Sequence, residues 1–215
     1  MSIQEHFAKY WELGWVAFPI SLSWNISKNK KDLNPPKDWQ KLDVESAKLL
    51  SPKGAIALQT GPLSGIVVVD IDDVEAWQKF LVDKGQDAPK TVTARSQRGG
   101  LHFYFRWTEE LGDLKSTSAL LRGCADIRST GGMIIAPPSS FQVPGEHDRR
   151  RYTWIEGKAP WDRWLADMPL WLAQALRKSL AVHHNGKTQG VKSTAVLDGP
   201  DMAPTPDTTS RSKVY

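Results

Sequence analysis

The chain has 215 residues, with 28 Lys and Arg against 24 Asp and Glu, a formal net charge of +4 and an apolar share of 40%. That length suits one packed domain or two small ones, and the mild basicity permits a nucleic-acid partner without requiring one. No apolar run is long enough to span a bilayer, the N-terminus does not resemble a secretory signal, and the single cysteine, Cys124, excludes an internal disulfide or a cysteine-rich structural zinc site, so a cytoplasmic protein is expected.

In chain order, Ile3, Phe7, Tyr10 and Trp11 recur at helical spacing up to Gly14. Trp15 to Ile20 reads as a buried strand stopped near Pro19, and the polar, lysine-rich stretch Ser27 to Lys37 as a surface loop. Asp43 suits the N-cap of a short helix reaching Leu50. Ala55–Gln59 and Ile66–Ile71 are strands joined by a turn-rich connector, and a helix from Val74 to Lys84 ends at Gly85.

The second half changes character. Thr91–Arg95, Leu101–Trp107, Ala125–Arg128 and Met133–Ala136 are short, β-branched or aromatic, and separated by glycines, which predicts an antiparallel sheet built from hairpins. Tyr152–Ile155 adds a further strand. Trp161–Leu165 and Pro169–Leu180 read as closing helices, the second with an apolar stripe at Leu170, Leu172, Ala173, Leu176 and Leu180. The expected division is a folded domain over residues 1–182 and a linker or disordered tail over residues 183–215, whose polar composition cannot offset its ordering entropy.

Three segments carry candidate chemistry. Asp70 and Asp72 alternate at the end of an apolar strand and so share a face. Two carboxylates held that close repel, and a divalent cation would offset the repulsion. Taken alone the motif is weak, and the plainer version is a strand end with Asp73 capping the next helix. Arg98-Gly99-Gly100-Leu101-His102 sets a glycine turn before a strand, where backbone can approach a phosphate and Arg98 and His102 supply donors. A hairpin turn beside a structural histidine is the plainer version. Asp126-Ile127-Arg128 offers another carboxylate with an arginine facing the same way, as a third acid plus phosphate contact or as a neutralising pair.

Together these segments, Val67-Val68-Val69-Asp70-Ile71-Asp72, Arg98-Gly99-Gly100-Leu101-His102-Phe103-Tyr104-Phe105 and Asp126-Ile127-Arg128-Ser129-Thr130-Gly131-Gly132-Met133-Ile134-Ile135-Ala136-Pro137-Pro138-Ser139, resemble the primase–polymerase branch of the archaeo-eukaryotic primase superfamily in order and spacing. The segment from Gly14 to Pro19, Trp39 and the connector at Thr60-Gly61 fit the same likeness, which covers roughly Gly14 to Leu172. The resemblance implies an α+β fold with a primase-like catalytic core, an αβ unit packed on an RRM-like antiparallel sheet. It implies Asp70, Asp72 and Asp126 as catalytic metal ligands for Mg²⁺ or Mn²⁺, and Gly100, His102, Arg98 and Arg128 as nucleotide contacts. Arg98 stands where some members have serine. No structural zinc is expected.

The implied activity is template-dependent nucleotidyl transfer, making primers or extending DNA in replication. The partners are single-stranded DNA, nucleoside triphosphates and a fused or separate helicase. Lys31 and Lys37, in a cluster with Lys28 and Lys30, and Arg149 and Arg150, beside Arg151, are candidate template contacts. A metal-dependent nuclease using the same acids, and a non-catalytic single-strand binder, are the rival readings.

Overall fold

The computed structural model describes residues 1–189 of the chain. Helix α1 (Ile3–Glu12) opens it, capped by Ser2, whose hydroxyl accepts from the Glu5 amide while Glu5 reaches back to the Ser2 amide. There follow β1 (Ala17–Asn25), β2 (Lys30–Asn34), α2 (Val44–Lys48), β3 (Ala55–Gln59), β4 (Ile66–Ile71) and α3 (Val74–Lys84). The second half holds β5 (Val92–Arg95), β6 (Leu101–Arg106), β7 (Thr117–Leu120), β8 (Ala125–Arg128), β9 (Met133–Ala136), β10 (Ser140–Phe141), β11 (Arg150–Arg151), β12 (Thr153–Trp154) and α4 (Leu170–Gln189). The fold is α+β, and every strand pairing in its sheets is antiparallel.

Two sheets organise the molecule. The larger has the order β12-β5-β6-β4-β8-β7, the smaller β2-β1-β3-β9. Strand β4 lies at the centre of the larger sheet, and Ile66, Val67, Val68, Val69 and Ile71 are fully buried. A strand covered on both faces reads as a continuous apolar run rather than an alternating one. Each such side chain contributes roughly 1.5–3 kcal/mol by leaving water. Odd-numbered residues of β4 join Phe103 and Phe105 of β6, packing on Trp77 and Leu81 of α3 and on Leu172 and Leu176 of α4. Even-numbered residues Ile66 and Val68, with Tyr104, face Ile56 and Leu58 of the smaller sheet and Phe7 and Tyr10 of α1. The outer face of the smaller sheet carries a third cluster around Phe18, Ile20 and Ile135.

Several sequence expectations need correction. Pro19 does not stop β1, which runs on to Asn25. The ladder with β3 explains why: the Gln59 amide donates to the Val16 carbonyl, so by alternation Pro19 turns its backbone away from β3, and β2 pairs only from Ser21 onward. The lysine-rich stretch is not simply a loop, because Lys30–Asn34 forms the charged edge strand β2. Met133–Ala136 leaves the second-half sheet and pairs with β3. Trp161–Leu165 forms turns rather than a helix; the segment is too short to repay helix nucleation, and Trp161 packs instead on His6 and Tyr10 of α1. Leu170 is exposed and outside the stripe, while Leu172, Ala173 and Leu176 are buried. Helix α4 continues past residue 182 to Gln189, and the remainder of the expected tail, residues 190–215, lies outside the described residues.

Candidate active site

The site is built by register. Strand β4 lies between β6 and β8, and Asp70 is the direct partner of His102 on one side and of Asp126 on the other. Three polar residues therefore form one row across three strands, on the face opposite the α3–α4 core. One step along the same face, Val68 pairs with Tyr104 and with Arg128. Asp72 follows just beyond the strand, where its amide still donates to the Cys124 carbonyl and continues the ladder by one residue. Asp73 then turns the chain into α3, its carboxylate accepting from the Ala76 amide at 2.9 Å.

Carboxylate oxygens of Asp70, Asp72 and Asp126 lie within 4.8 Å of one another. His102 Nε2 is 3.2 Å from Asp70 Oδ1, an ion-pair distance without the alignment of a hydrogen bond, and His102 Nδ1 is buried with no partner. Asp126 is held at both oxygens. Oδ1 accepts from the Ala119 amide at 2.8 Å and Oδ2 from Arg128 Nη2 at 2.6 Å.

The electrostatics separate the acids. Burial alone would raise Asp70, but His102, then Arg128 and Lys31, outweigh it and hold the carboxyl below its ordinary range. Asp72 moves the other way, raised by loss of hydration and then by the charges of Asp70 and Asp126. Three crowded carboxylates, one of them resisting ionisation and another with a buried oxygen lacking a hydrogen bond, form a donor set suited to a hard divalent cation. All three offer oxygen, as Mg²⁺ or Mn²⁺ prefers, and among the described residues neither a thiolate nor an imidazole belongs to the group.

The row opens onto a cleft of about 320 Å³ that both sheets line. Asp70, His102 and Arg128 face it from the larger sheet, and Lys31 and Met133 from the smaller. Ser116, Gly131 and Gly132 close one end. Gly132 has no space for a side chain, since a Cβ there would collide with the Ser116 hydroxyl and sit 2.9 Å from Thr60 Oγ1. Three larger hollows, of about 400, 540 and 640 Å³, lie beside Pro89 and Ile155, beside Trp164, and between α3 and α4, but none of them sets a histidine beside an acid as this cleft does.

Of the residues singled out from sequence, Asp70, Asp72, Asp126, His102 and Arg128 come together. Lys31, expected among template contacts, points into the cleft: its Nζ donates to Tyr152 Oη at 2.8 Å, and burial lowers its pKa against the opposing pull of Asp70 and Asp72. Arg98 sits at the rim, 5.8 Å from the centre of the Trp24 ring, which also carries Arg150 at 4.9 Å. Arg150 is occupied by a two-pronged pair with Glu146, and Arg149 by Ser140. Neither lines the cleft, nor does exposed Lys37. Gly100 packs its backbone against Ile71 rather than lining the cleft. Tyr152, Ser116 and the Ala119 amide were missed. Alternation beside Arg150-Arg151 could have turned Tyr152 inward; nothing local points to the other two.

A row of acids and a buried histidine on an antiparallel sheet, with a donor set suited to a divalent cation and a cation-lined cleft beside it, is the kind of arrangement that phosphate chemistry uses. The family model described as bifunctional DNA primase/polymerase, N-terminal, matches residues 8–171, and the chain belongs to this Prim-Pol family. No curated protein matches it significantly. Membership points to a primase/polymerase, a nucleotidyl transferase that uses a DNA template and nucleotides. Among the described residues no helix is long and apolar enough to cross a membrane.

Proposed function

We propose that this chain is the catalytic domain of a template-directed nucleotidyl transferase, making or extending strands on single-stranded DNA during replication. The observation that carries the reading is the in-register row His102–Asp70–Asp126, completed by Asp72. The strand order β5-β6-β4-β8, with α3 following β4, supports an RRM-like reading of the larger sheet and a primase-like core.

In this reading a 3′-hydroxyl attacks the α-phosphate of a nucleoside triphosphate and pyrophosphate leaves. Asp70, Asp72 and Asp126 would hold one or two Mg²⁺ or Mn²⁺ ions. When bound, these supply Lewis-acid activation of the hydroxyl and neutralise the developing charge. The chain's own groups do the rest. His102 turns Nε2 to Asp70, which leaves its buried, unpartnered Nδ1 to meet a phosphate oxygen. Lys31, across the cleft and without a carboxylate within salt-bridge distance among the described residues, is reassigned from the template to the nucleotide's phosphates. Arg128 lies beside it, and Arg98 at the rim. The backbone at Gly131, with open space where a side chain would stand, gives a ligand close approach.

The test is a double substitution, Asp70→Ala with Asp72→Ala. Primer extension is expected to vanish, while single-strand binding persists because it rests on basic residues elsewhere. Extension that survived in the double variant would remove the assignment.

A further inference from the structure

The edge of the larger sheet next to Asp126 is irregular in a way its sequence does not require. Strand β7 pairs Thr117 with Ile127 and Leu120 with Ala125, so Ser118 and Ala119 together stand opposite the single residue Asp126. That is a bulge, and bulges re-aim groups beside sites. Ala119 holds φ at +61°, and after it Leu121 and Arg122 hold +50° and +64°. Left-handed backbone costs a non-glycine residue on the order of 1–2 kcal/mol, yet three such residues fall within four positions. The distortion is tied down at two points. The Ala119 amide donates to Asp126 Oδ1 at 2.8 Å, and the Leu121 amide donates to Ser179 Oγ of α4 at 3.0 Å.

In a regular ladder a strand amide faces a backbone carbonyl or solvent. Here the bulge turns one onto a side-chain carboxylate. With Arg128 on Oδ2, both Asp126 oxygens are held by hydrogen bonds, and each keeps a lone pair for a cation. Hydrogen bonds of this kind orient ligating carboxylates, and losing them typically costs metal affinity about 10–100-fold.

We propose that Ala119 is a positioning residue, its strained bulge amide presetting the Asp126 carboxylate to receive the divalent cation, with Ser179 anchoring the bulge to α4. The inference rests on the reading of Asp126 as a metal ligand. It is tested by replacing Ala119 with lactic acid through nonsense suppression, which exchanges the amide for an ester and removes only the N–H. Mn²⁺ binding is then read from the electron paramagnetic resonance of the free ion, without nucleotide or template, so the readout does not depend on synthesis.

The ester is expected to weaken Mn²⁺ binding by about 10–100-fold, whereas Ala119→Gly, which keeps the amide and relieves φ, stays within about twofold of the unaltered protein. Unaltered Mn²⁺ affinity in the ester, with affinity lost in Asp126→Ala, overturns the role of Ala119 alone. Unaltered affinity in Asp126→Ala overturns the ligand assignment beneath it. Hydrogen exchange gives a check that needs no backbone change in the parent. The Ala119 amide, though on an exposed residue, should exchange slowly in the parent and quickly in Asp126→Ala; fast exchange in the parent contradicts the proposal.

Discussion

Asp72 differs from Asp70 by two positions and in almost everything else. Asp70 is half-buried beside a histidine and two cations, whereas Asp72 stands at the strand end among the charges of the two other acids. Its pKa is raised in the folded chain, first by lost hydration and then by Asp70 and Asp126. The sign of the linkage follows. A raised folded pKa contributes stability that is complete below the ordinary carboxylate pKa and lost as pH rises through the raised value. Asp72→Asn should therefore melt higher than the parent at neutral pH without divalent metal, and the difference should fade on acidification. Mg²⁺ should raise the melting point of the parent and have less effect on Asp72→Asn. Scanning calorimetry at two pH values, with and without Mg²⁺, checks both; a variant less stable at neutral pH would contradict the crowding argument. Side-chain identity made this pair legible in the sequence, because alternation alone puts Asp70 and Asp72 on one face. That they diverge in charge behaviour was not legible, since the neighbours responsible come from β6, β8 and β2.

At the scale of elements, β4, β6 and β8 are the frame of the site. Their residue ranges followed almost directly from apolar runs bounded by turns, and α3 from its Asp73 cap and Gly85 stop. Their pairing did not follow. Strands β4 and β8 are separated by more than fifty residues of sequence, and only register decides that Asp70 meets Asp126 rather than its neighbours. Strand β7 was invisible because its bulge and left-handed residues remove any period-two pattern. The β5–β6 turn shows how tightly the frame is fitted. A Cβ on Gly100 would run into the Ile71 carbonyl oxygen and lie 2.9 Å from Ser96 Oγ. Gly100→Ala should cost about 1–3 kcal/mol by overpacking, read as a lower urea midpoint at unchanged m-value. Because the pressure falls on the end of β4 between Asp70 and Asp72, metal affinity should drop with it. A fully stable Gly100→Ala protein would show that the turn can move off β4.

For the whole molecule, the larger sheet supplies the acids and the histidine, and the smaller sheet supplies Lys31 and one wall of the cleft. The resemblance in sequence covered both halves, but Lys31 was read with Lys28, Lys30 and Lys37 as one surface cluster contacting the template, like Arg149 and Arg150. That reading missed Lys31 because Lys28, Lys30 and Lys31 look alike in a polar run, and only the pairing of Trp24 with Lys31 shows which of them turns inward beside Tyr152. It also missed that Arg150 already has Glu146 as its partner.

In the proposed function these two halves enclose a centre that joins nucleotides rather than cutting strands, and the same acids would serve either reaction. The most direct measurement incubates the protein with end-labelled single-stranded DNA, Mg²⁺ or Mn²⁺ and nucleoside triphosphates, with ribo- and deoxynucleotides in separate reactions, and resolves the products by length. Longer, template-dependent products that require both metal and nucleotide are expected. Shorter products, formed with metal whether or not nucleotide is present, would contradict the account.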